Sequence, residues 1–178
     1  KAQPLCVDLD GTLLATDTLC EALLKLLQTQ PFRVLVILFW LVRGRAAFKR
    51  RLFHHVALDP AILPIHADVV AFLRQQKEDG RTLILATGTD ALAARPIAEH
   101  FGFFDQVIAS EGQANLTGRE KLRAIRQAIG EGCEFDYMGN SSADLPLWEA
   151  SRNAYLVEPS KLVQRRAQAI CTPAKIFG

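Results

Sequence analysis

Two aspartates, Asp8 and Asp10, stand one residue apart near the start of the chain, directly after the apolar residues 5–7. The apolar run predicts a buried strand, and Gly11 then turns the chain away from it. Two carboxylates this close resist joint ionisation unless a cation compensates their charge. Because Mg²⁺ prefers oxygen ligands, the pair predicts a magnesium site at the C-terminal end of a strand.

A calcium loop is the other site that an Asp-x-Asp-Gly sequence can form. Such a loop would need further oxygen-bearing side chains at the next alternate positions and a closing glutamate. Here Leu13 and Leu14 follow Thr12 instead. We therefore favour the magnesium interpretation.

The elements that must position these carboxylates are indicated by four further apolar segments, at residues 81–86, 106–110, 135–139 and 154–157. Helical patterns separate these predicted strands, and a last helix is predicted at 160–169. Strands that alternate with helices are typical of an α/β fold with a doubly wound, Rossmann-like parallel sheet. With 178 residues, of which 49% are hydrophobic, the chain can form one core of good size.

The first two predicted strands are much farther apart than a crossover between parallel strands requires, which is about a dozen residues. We therefore expect residues 17–63 to form a small inserted helical cap. The core domain would then consist of residues 1–16 and 64–178. The position of the insertion makes it a candidate lid over the carboxylates.

The predicted cap contains an apolar run at residues 34–42, followed by a cluster of basic side chains: Arg43, Arg45, Lys49, Arg50 and Arg51. The run is too short to span a bilayer, which takes roughly twenty residues. It is either a buried helix or a surface that docks on lipid or protein. The basic cluster is a solvated helix face, a contact for a phosphorylated substrate, or a contact with a membrane surface.

Further polar side chains occur where later strands end or helices begin. Thr87 follows the strand at 81–86, Lys121 stands at the start of a helix, and Asn140 and Asp144 follow the strand at 135–139. Any one of them could be ordinary helix capping. Parallel strands nevertheless bring their carboxyl ends to one edge of the sheet, where ligands bind.

Together with the two aspartates, and in the same order along the chain, these residues resemble the four motifs of the haloacid dehalogenase superfamily. The first motif stands here as Asp-Leu-Asp-Gly-Thr at 8–12, and the fourth as Gly-Asn-Ser-Ser-Ala-Asp at 139–144. Thr87 and Lys121 match the second and third motifs. The resemblance covers essentially the whole chain and implies a phosphohydrolase with a Rossmann-like core.

The resemblance implies a role for each motif residue in cleaving a phosphate ester. Asp8 would attack phosphorus and form an aspartyl-phosphate, while Asp10 would protonate the leaving oxygen and later accept a proton from water. Thr87, Gly88 and Lys121 would bind the phosphoryl oxygens. Dehalogenation is less favoured, because a halide leaving group needs no proton donor.

By the same resemblance, Mg²⁺ would be held by the Asp8 carboxylate, the Asp10 backbone carbonyl and the fourth motif, through Asn140 and Asp144. Asn140 departs from the family pattern, in which an aspartate is usual. An amide oxygen can ligate Mg²⁺ but brings no negative charge. We therefore expect weaker metal binding than in a relative with aspartate, with Asp144 providing more of the anchoring.

A helical cap between the first and second motifs resembles that of phosphoserine phosphatase-like members. In that subgroup an acidic residue soon after the first motif can face the substrate, and Asp17 stands at the comparable place. Asp17 is equally well explained as the start of a helix. The residues that bind serine have no convincing match here, so phosphoserine is not a favoured substrate.

A closer resemblance is to the cytosolic dehalogenase-like domain that precedes UbiA-type prenyltransferases. It rests on Thr16-Asp17, the apolar cap and the sequence Ala-Asp-Leu-Pro-Leu-Trp at 143–148. It implies that a membrane enzyme would begin near residue 178. The substrate would then be a phosphorylated prenyl or sugar intermediate, and the apolar and basic cap would have a bilayer nearby.

Charge and cysteine usage limit the partners and the compartment. The net charge of +2 gives no general attraction for nucleic acid, so none is expected as a partner. The four cysteines contain no Cys-x-x-Cys pair, which favours reduced thiols in the cytoplasm, with the cap at the cytoplasmic face of the inner membrane if it binds lipid. The four histidines are isolated or adjacent, so we leave all of them out of the site.

The sequence therefore favours a Mg²⁺-dependent phosphomonoesterase that acts on a small phosphorylated metabolite or on a prenyl or sugar phosphate. Asn140 and the suspected fusion leave a second function open, a catalytically weakened regulatory or binding module of a larger membrane-associated enzyme. A phosphotransferase or phosphomutase that uses the same aspartyl-phosphate is a third possibility. It would differ from the hydrolase in the acceptor of the phosphoryl group.

Overall fold

The computed structural model describes residues 3–39, 44–111 and 115–178. Six strands are present in this part of the chain: β1 (Leu5–Val7), β2 (Leu83–Asp90), β3 (Gln106–Ser110), β4 (Asp136–Gly139), β5 (Ala154–Val157) and β6 (Pro173–Phe177). Eight α-helices accompany them: α1 (Thr18–Thr29), α2 (Pro31–Phe39), α3 (Arg45–His55), α4 (Ala67–Glu78), α5 (Ala91–Phe101), α6 (Arg119–Ile129), α7 (Leu145–Ala150) and α8 (Lys161–Ile170).

The six described strands form one parallel sheet in the order β3-β2-β1-β4-β5-β6. In register, Leu5 of β1 lies opposite Leu83 on one side and Asp136 on the other. The direction in which successive strands are added reverses between β1 and β4. Open α/β sheets bind ligands at this switch point, beyond the carboxyl ends of the strands. The predicted doubly wound, Rossmann-like fold is confirmed.

Both faces of the sheet are covered by helices, which explains why its central strands are apolar on both sides. Leu5 and Val7 point into one core cluster, which includes buried residues of α4 and α5. Cys6 points the other way, into a cluster with buried residues of α6, α7 and α8. The alternation follows from the two-residue period of a strand.

Helices α1, α2 and α3 lie between β1 and α4 in the chain, within the predicted cap. A third apolar cluster packs α1 and α3 together, through Ala22, Leu26, Phe48 and Leu52, and includes Ala93 of α5. The insertion is therefore seated on the core through α5. The boundaries at 17 and 63 stay predictions.

Two details of the fold differ from the sequence prediction, and a third is one that the sequence leaves open. Strand β6 was not predicted, because its Pro-Ala-Lys-Ile-Phe sequence has no regular alternation and Lys175 is exposed. Strand β2 continues through Thr87 and Gly88 to Asp90 instead of ending at Ala86. Helix α2 is not fully buried, because Phe32, Val36 and Phe39 are exposed; residues 40–43 of the predicted apolar and basic segment lie outside the described residues.

Candidate active site

A polar pocket of about 510 Å³ opens where β1, β2 and β4 end. It is lined by all eight of the site residues predicted from the sequence: Asp8, Asp10, Asp17, Thr87, Gly88, Lys121, Asn140 and Asp144. These residues are separated by up to 136 positions in sequence, and the parallel sheet brings them together. Their proximity is what the proposed chemistry requires, while their individual roles remain predictions.

Asp8 and Lys121 form a buried ion pair at the centre of the pocket. The Asp8 backbone N–H donates to the Met138 carbonyl at 3.0 Å, which fixes the start of the loop after β1 against β4. The ammonium of Lys121, in the first turn of α6, donates to Asp8 Oδ1 at 2.8 Å and to the Tyr137 hydroxyl at 3.0 Å. Lys121 Nζ also lies 3.6 Å from Asp144 Oδ1.

The electrostatics of this group are those of a site with excess negative charge. Burial raises the pKa of Asp8, and the charges of Asp144 and Asp10 raise it further, against the opposing effect of Lys121. Burial alone would lower the pKa of Lys121, but the attraction of Asp8 and Asp144 outweighs it and raises that pKa. Lys121 therefore stays charged, and its one ammonium faces the two carboxylates of Asp8 and Asp144.

Asp10 is held by the first helix of the cap and by strand β2. Its Oδ1 accepts the Thr18 backbone N–H at 2.7 Å, and its Oδ2 accepts the Thr89 hydroxyl. Burial raises the pKa of Asp10, although the hydrogen bonds from Thr89 and Thr18 oppose the rise. A raised carboxyl pKa suits a group that must give and take a proton near neutral pH.

Thr89 is a second contact of Asp10 that the predicted site did not include. Asp90 is the N-cap of α5, accepting the Leu92 N–H at 3.0 Å, while Thr89 faces Asp10. The Thr89 and Thr18 hydroxyls lie 3.1 Å apart. The contact could not be read from the sequence, because it depends on β2 continuing past Thr87.

Asn140 packs directly against the turn that follows the two aspartates. Gly11 has φ +70°, and a Cβ added there would lie 2.0 Å from Asn140 Nδ2. A side chain at Gly11 is therefore excluded both by the left-handed backbone and by the amide of Asn140. The close approach places the amide next to Asp10 and within the same pocket as Asp8.

Asp144 is buried, and both of its oxygens accept hydrogen bonds. Oδ1 accepts the Tyr137 hydroxyl at 2.7 Å, while Oδ2 accepts the backbone N–H groups of Asn140 and Ser141 at 3.2 and 3.0 Å. The Ser141 hydroxyl adds a third contact to Oδ2 at 3.0 Å. A Cβ on Gly139 would lie 2.7 Å from Oδ2, so only glycine allows the carboxylate to approach the strand end.

Tyr137 is a site residue that the sequence analysis missed. Its hydroxyl accepts from Lys121 and donates to Asp144, so it connects the two charged groups beneath the pocket. Burial raises the pKa of Tyr137 well above its usual range, and the charges of Asp144 and Asp8 raise it further. It therefore stays a neutral hydroxyl. Its position in the apolar strand β4 gave it the appearance of an ordinary core residue.

The second motif contributes a hydroxyl and a backbone segment to the pocket. Thr87 is buried, and its Oγ1 accepts the Thr89 N–H at 3.0 Å. The Gly88 carbonyl accepts the Ser110 hydroxyl at 2.9 Å and the ammonium of Lys49 at 3.1 Å. Lys49 belongs to α3, so this last contact connects the cap to the core at the pocket wall.

Asp17 agrees with both of its predicted assignments, and His66 lies at the rim of the pocket. Asp17 lines the pocket, but its carboxylate also caps α1 by accepting the N–H groups of Leu19 and Cys20. His66, which was left out of the site, lines the pocket with its Nδ1 3.9 Å from a Glu158 carboxylate oxygen. The isolation of His66 in sequence gave no sign of this position, because Glu158 comes from the end of β5.

The donor set fits a hard divalent cation. Within the described residues, three or more His, Cys, Asp or Glu side chains do not gather into a metal-binding group. The oxygens available for a metal are instead the carboxylate of Asp8, the amide of Asn140 and backbone carbonyls. The excess of carboxylates over ammonium groups supplies the negative charge that such a cation would neutralise.

A family model for haloacid dehalogenase-like hydrolases matches residues 5–149. Uncharacterized protein y4nM of Sinorhizobium fredii (strain NBRC 101917 / NGR234) is 37% identical over 154 residues, which are 86% of this chain and 30% of that protein. The chain thus spans less than a third of the length of this curated relative. Across the described residues, no helix has the length and apolar character needed to cross a membrane.

Two solved structures illustrate the likeness in fold. A protein of unknown function from Bordetella pertussis Tohama I has a TM-score of 0.71 at 20% identity, covering 98% of this chain and 97% of that one. A phospho-aspartyl intermediate analogue of phosphoserine phosphatase has a TM-score of 0.61 at 14% identity, covering 99% and 93%. The fold is therefore the one found in phosphoserine phosphatase-like hydrolases.

Proposed function

Because the chain belongs to the haloacid dehalogenase-like hydrolase family, we propose that it is a Mg²⁺-dependent phosphomonoesterase that works through an aspartyl-phosphate. The observation that carries this proposal is the joint placement of Asp8, Asp10, Thr87 and Lys121 in one pocket. The fold shared with a phospho-aspartyl analogue of phosphoserine phosphatase supports the covalent intermediate.

In the first half of the reaction, an Asp8 carboxylate oxygen attacks phosphorus and the bond to the leaving oxygen breaks. Asp10, held by Thr18 and Thr89, gives its proton to that oxygen so that an alcohol leaves. In the second half, Asp10 takes a proton from a water molecule that attacks the phosphorus of the aspartyl-phosphate. Inorganic phosphate is released and Asp8 is restored.

Lys121 and the second motif stabilise the charge of the phosphoryl group during both steps. The ammonium of Lys121 already lies 2.8 Å from Asp8, so it is next to the oxygens that the phosphoryl group would bring. Thr87 would add its hydroxyl, and Gly88 would add its backbone N–H. Mg²⁺, held by Asp8, the Asp10 carbonyl and Asn140, would supply a Lewis acid that neutralises phosphate oxygens.

We assign Asp144 a positioning role in place of the larger share of metal anchoring that the sequence suggested. Its two oxygens are occupied by Tyr137, by Ser141 and by the backbone of Asn140. These contacts orient the loop that carries Asn140. The negative charge of Asp144 also attracts Lys121 from below the pocket. Asp144 would therefore act on the metal through Asn140.

The lining of the pocket favours a compact, polar phosphate ester over a prenyl phosphate. Among the described lining residues, only Ala15 and Ala143 have apolar side chains. A prenyl chain would leave its hydrocarbon against carboxylates, hydroxyls and ammonium groups, without the burial that stabilises apolar surface. A sugar phosphate or similar small metabolite would instead use Lys49 and Asp17 for its polar groups.

The length of y4nM supports a further proposal, that this chain works as one domain of a longer protein. The resemblance to domains that precede UbiA-type prenyltransferases supplies a candidate for the remainder. Sequencing the coding region beyond residue 178 tests this directly. A reading frame that ends there, or continues into another kind of protein, would remove the proposed fusion.

The test of the activity is release of inorganic phosphate from a panel of phosphate monoesters, with and without Mg²⁺. The panel includes sugar phosphates, phosphoserine and a prenyl phosphate. We expect Mg²⁺-dependent release, lowered at least about a thousandfold in Asp8→Asn, because that variant loses its nucleophile. Asp68→Asn changes an exposed carboxylate of α4 in the same way and should release phosphate like the wild type.

Two other outcomes would lead to different functions. If no ester is cleaved while Mg²⁺ still binds, the binding module becomes the better assignment, and Asn140→Asp is the variant to examine for restored turnover. If phosphate reaches a second alcohol faster than water, the enzyme is a phosphotransferase or phosphomutase. Release that persists in Asp8→Asn would exclude the aspartyl-phosphate.

A further inference from the structure

The outer face of helix α2 is an exposed apolar stripe. Phe32, Val36 and Phe39 are 86%, 61% and 67% exposed. Their spacing places the three side chains within an arc of about 60° on one side of the helix, at 100° per residue. Leu24 and Leu27 of the neighbouring helix α1 are also about half exposed. A cluster of large, exposed apolar side chains of this kind marks a surface that binds a protein, a membrane or a ligand.

The charge of the same part of the chain is entirely positive. Residues 22–58 contain no Asp or Glu but seven Lys or Arg, whereas the chain as a whole has a net charge of +2. Arg33 of α2 and Arg50 of α3 are exposed. Partial burial lowers the pKa of His55, and the positive charges of Arg33, Arg51 and His54 lower it further, so the cationic groups of α2 and α3 lie near one another.

We propose that this cap surface, defined by Phe32, Val36 and Phe39 with Arg33, docks on the face of an anionic lipid bilayer. The stripe would enter the boundary between headgroups and acyl chains, with the cationic side chains at the level of the phosphates. Helix α2 would lie in the interface plane, since no described helix is able to span a bilayer.

Charge complementarity favours lipid over a second copy of this chain as the partner of the apolar stripe. A second copy of this chain would bring two surfaces of the same positive sign together, which like-charge repulsion disfavours. An anionic bilayer instead offers negative charge across its whole surface, and each Lys or Arg near it adds attraction. The opposite side of the cap, which includes Lys49 and the apolar cluster of α1 and α3, would meanwhile stay against the core and the pocket.

The test is co-sedimentation of the 178-residue chain with vesicles of phosphatidylcholine alone or of phosphatidylcholine with phosphatidylglycerol. We expect binding to the anionic vesicles and little to the neutral ones, with the binding weakened by salt. Phe32→Glu with Phe39→Glu should lower binding at least about tenfold, because the apolar contact is lost. Arg33→Gln should lower it about fivefold.

Helix α8, on the core, provides matched controls. Leu162 and Ile170 are 60% and 42% exposed, and Arg165 is also exposed, so Leu162→Glu with Ile170→Glu, and separately Arg165→Gln, make the same chemical changes elsewhere. These variants should bind vesicles like the wild type, and circular dichroism should show that all variants are folded.

Three outcomes would overturn the proposal: no binding to anionic vesicles, equal loss in the α8 controls, or binding unchanged in the α2 variants. Light scattering that shows a dimer, dissociated by Phe32→Glu, would assign the cap surface to a second copy. Because the vesicle assay does not measure hydrolysis, its failure is distinguishable from failure of the proposed phosphatase activity.

Discussion

The floor of the pocket and the cap above it contribute to the same cavity in different ways. In the floor, Asp8, Lys121, Tyr137 and Asp144 are buried and bonded to one another. In the cap, Lys49 reaches the pocket through one hydrogen bond to the Gly88 carbonyl, as far as the described residues show. We therefore expect the sheet to fix the groups that would do the chemistry, and the insertion to supply groups that vary with the substrate.

The energetic consequence is that charges in the floor depend on one another. A buried charge that loses its partner pays the full cost of desolvation, whereas a side chain at the pocket wall can turn toward water. Stability and activity should therefore be affected together in the floor and separately in the cap.

Lys121→Met should lower the free energy of unfolding by about 3–5 kcal/mol, because it leaves Asp8 and Asp144 buried without their cation. Phosphate release should be lost as well. Urea unfolding is the measurement. Lys77→Met removes a partly exposed ion pair with Asp105 and should cost about 1 kcal/mol or less. Equal losses in the two variants would contradict the contrast.

Tyr137→Phe should lower the free energy of unfolding by about 1–3 kcal/mol, since Asp144 and Lys121 each lose a buried hydrogen bond. We expect kcat to fall about tenfold while KM changes little, because Tyr137 positions charged groups without touching substrate. Steady-state kinetics separate the two constants. The control is Tyr155→Phe, a partly buried tyrosine of β5 outside the pocket. A change in KM alone would place Tyr137 against the substrate.

Asn140→Asp should strengthen Mg²⁺ binding about tenfold, because a charged oxygen replaces a neutral one beside Asp8 and Gly11. Without Mg²⁺ the same variant should be less stable than the wild type, since it adds a carboxylate to a pocket that Asp8, Asp10 and Asp144 already make negative. Calorimetric titration with Mg²⁺ and thermal unfolding with chelator measure the two effects. An unchanged Mg²⁺ affinity would mean that residue 140 is not a ligand.

Lys49→Ala should change stability by about 0.5 kcal/mol or less, as is usual away from buried networks. We expect KM to rise several-fold for the preferred ester and kcat to stay near that of the wild type. Arg50→Ala, on the same helix but outside the active-site pocket, is the matched variant and should leave both constants unchanged. A large fall in kcat for Lys49→Ala would move this residue into the catalytic group.

Sequence patterns predicted five of the six strands and the position of the pocket because both depend on local chemistry. Apolar runs that end in polar residues, such as residues 5–7 before Asp8, indicate buried parallel strands and their carboxyl ends. All the residues that the pattern placed in the site line the pocket. The sixth strand was missed because a short edge strand with exposed side chains carries little periodic signal.

The other partners in the pocket could not be predicted, because they meet through tertiary structure alone. In the sequence, Tyr137 has the pattern of a core residue of β4. Its hydroxyl accepts a hydrogen bond from Lys121 only because α6 places Lys121 beside it. Thr89 reaches Asp10 because β2 runs farther than its apolar residues indicate. His66 and Glu158 meet across more than ninety positions in sequence.

By itself, the sequence determined the α/β class, the first-motif carboxylates and the family resemblance, because each rests on residue types at short, fixed spacings. The tertiary structure decided which groups share a proton or a charge, since that depends on distances between strands and helices remote in the chain. It also decided that Phe32, Val36 and Phe39 face outward, because burial depends on what packs against a helix and not on its hydropathy.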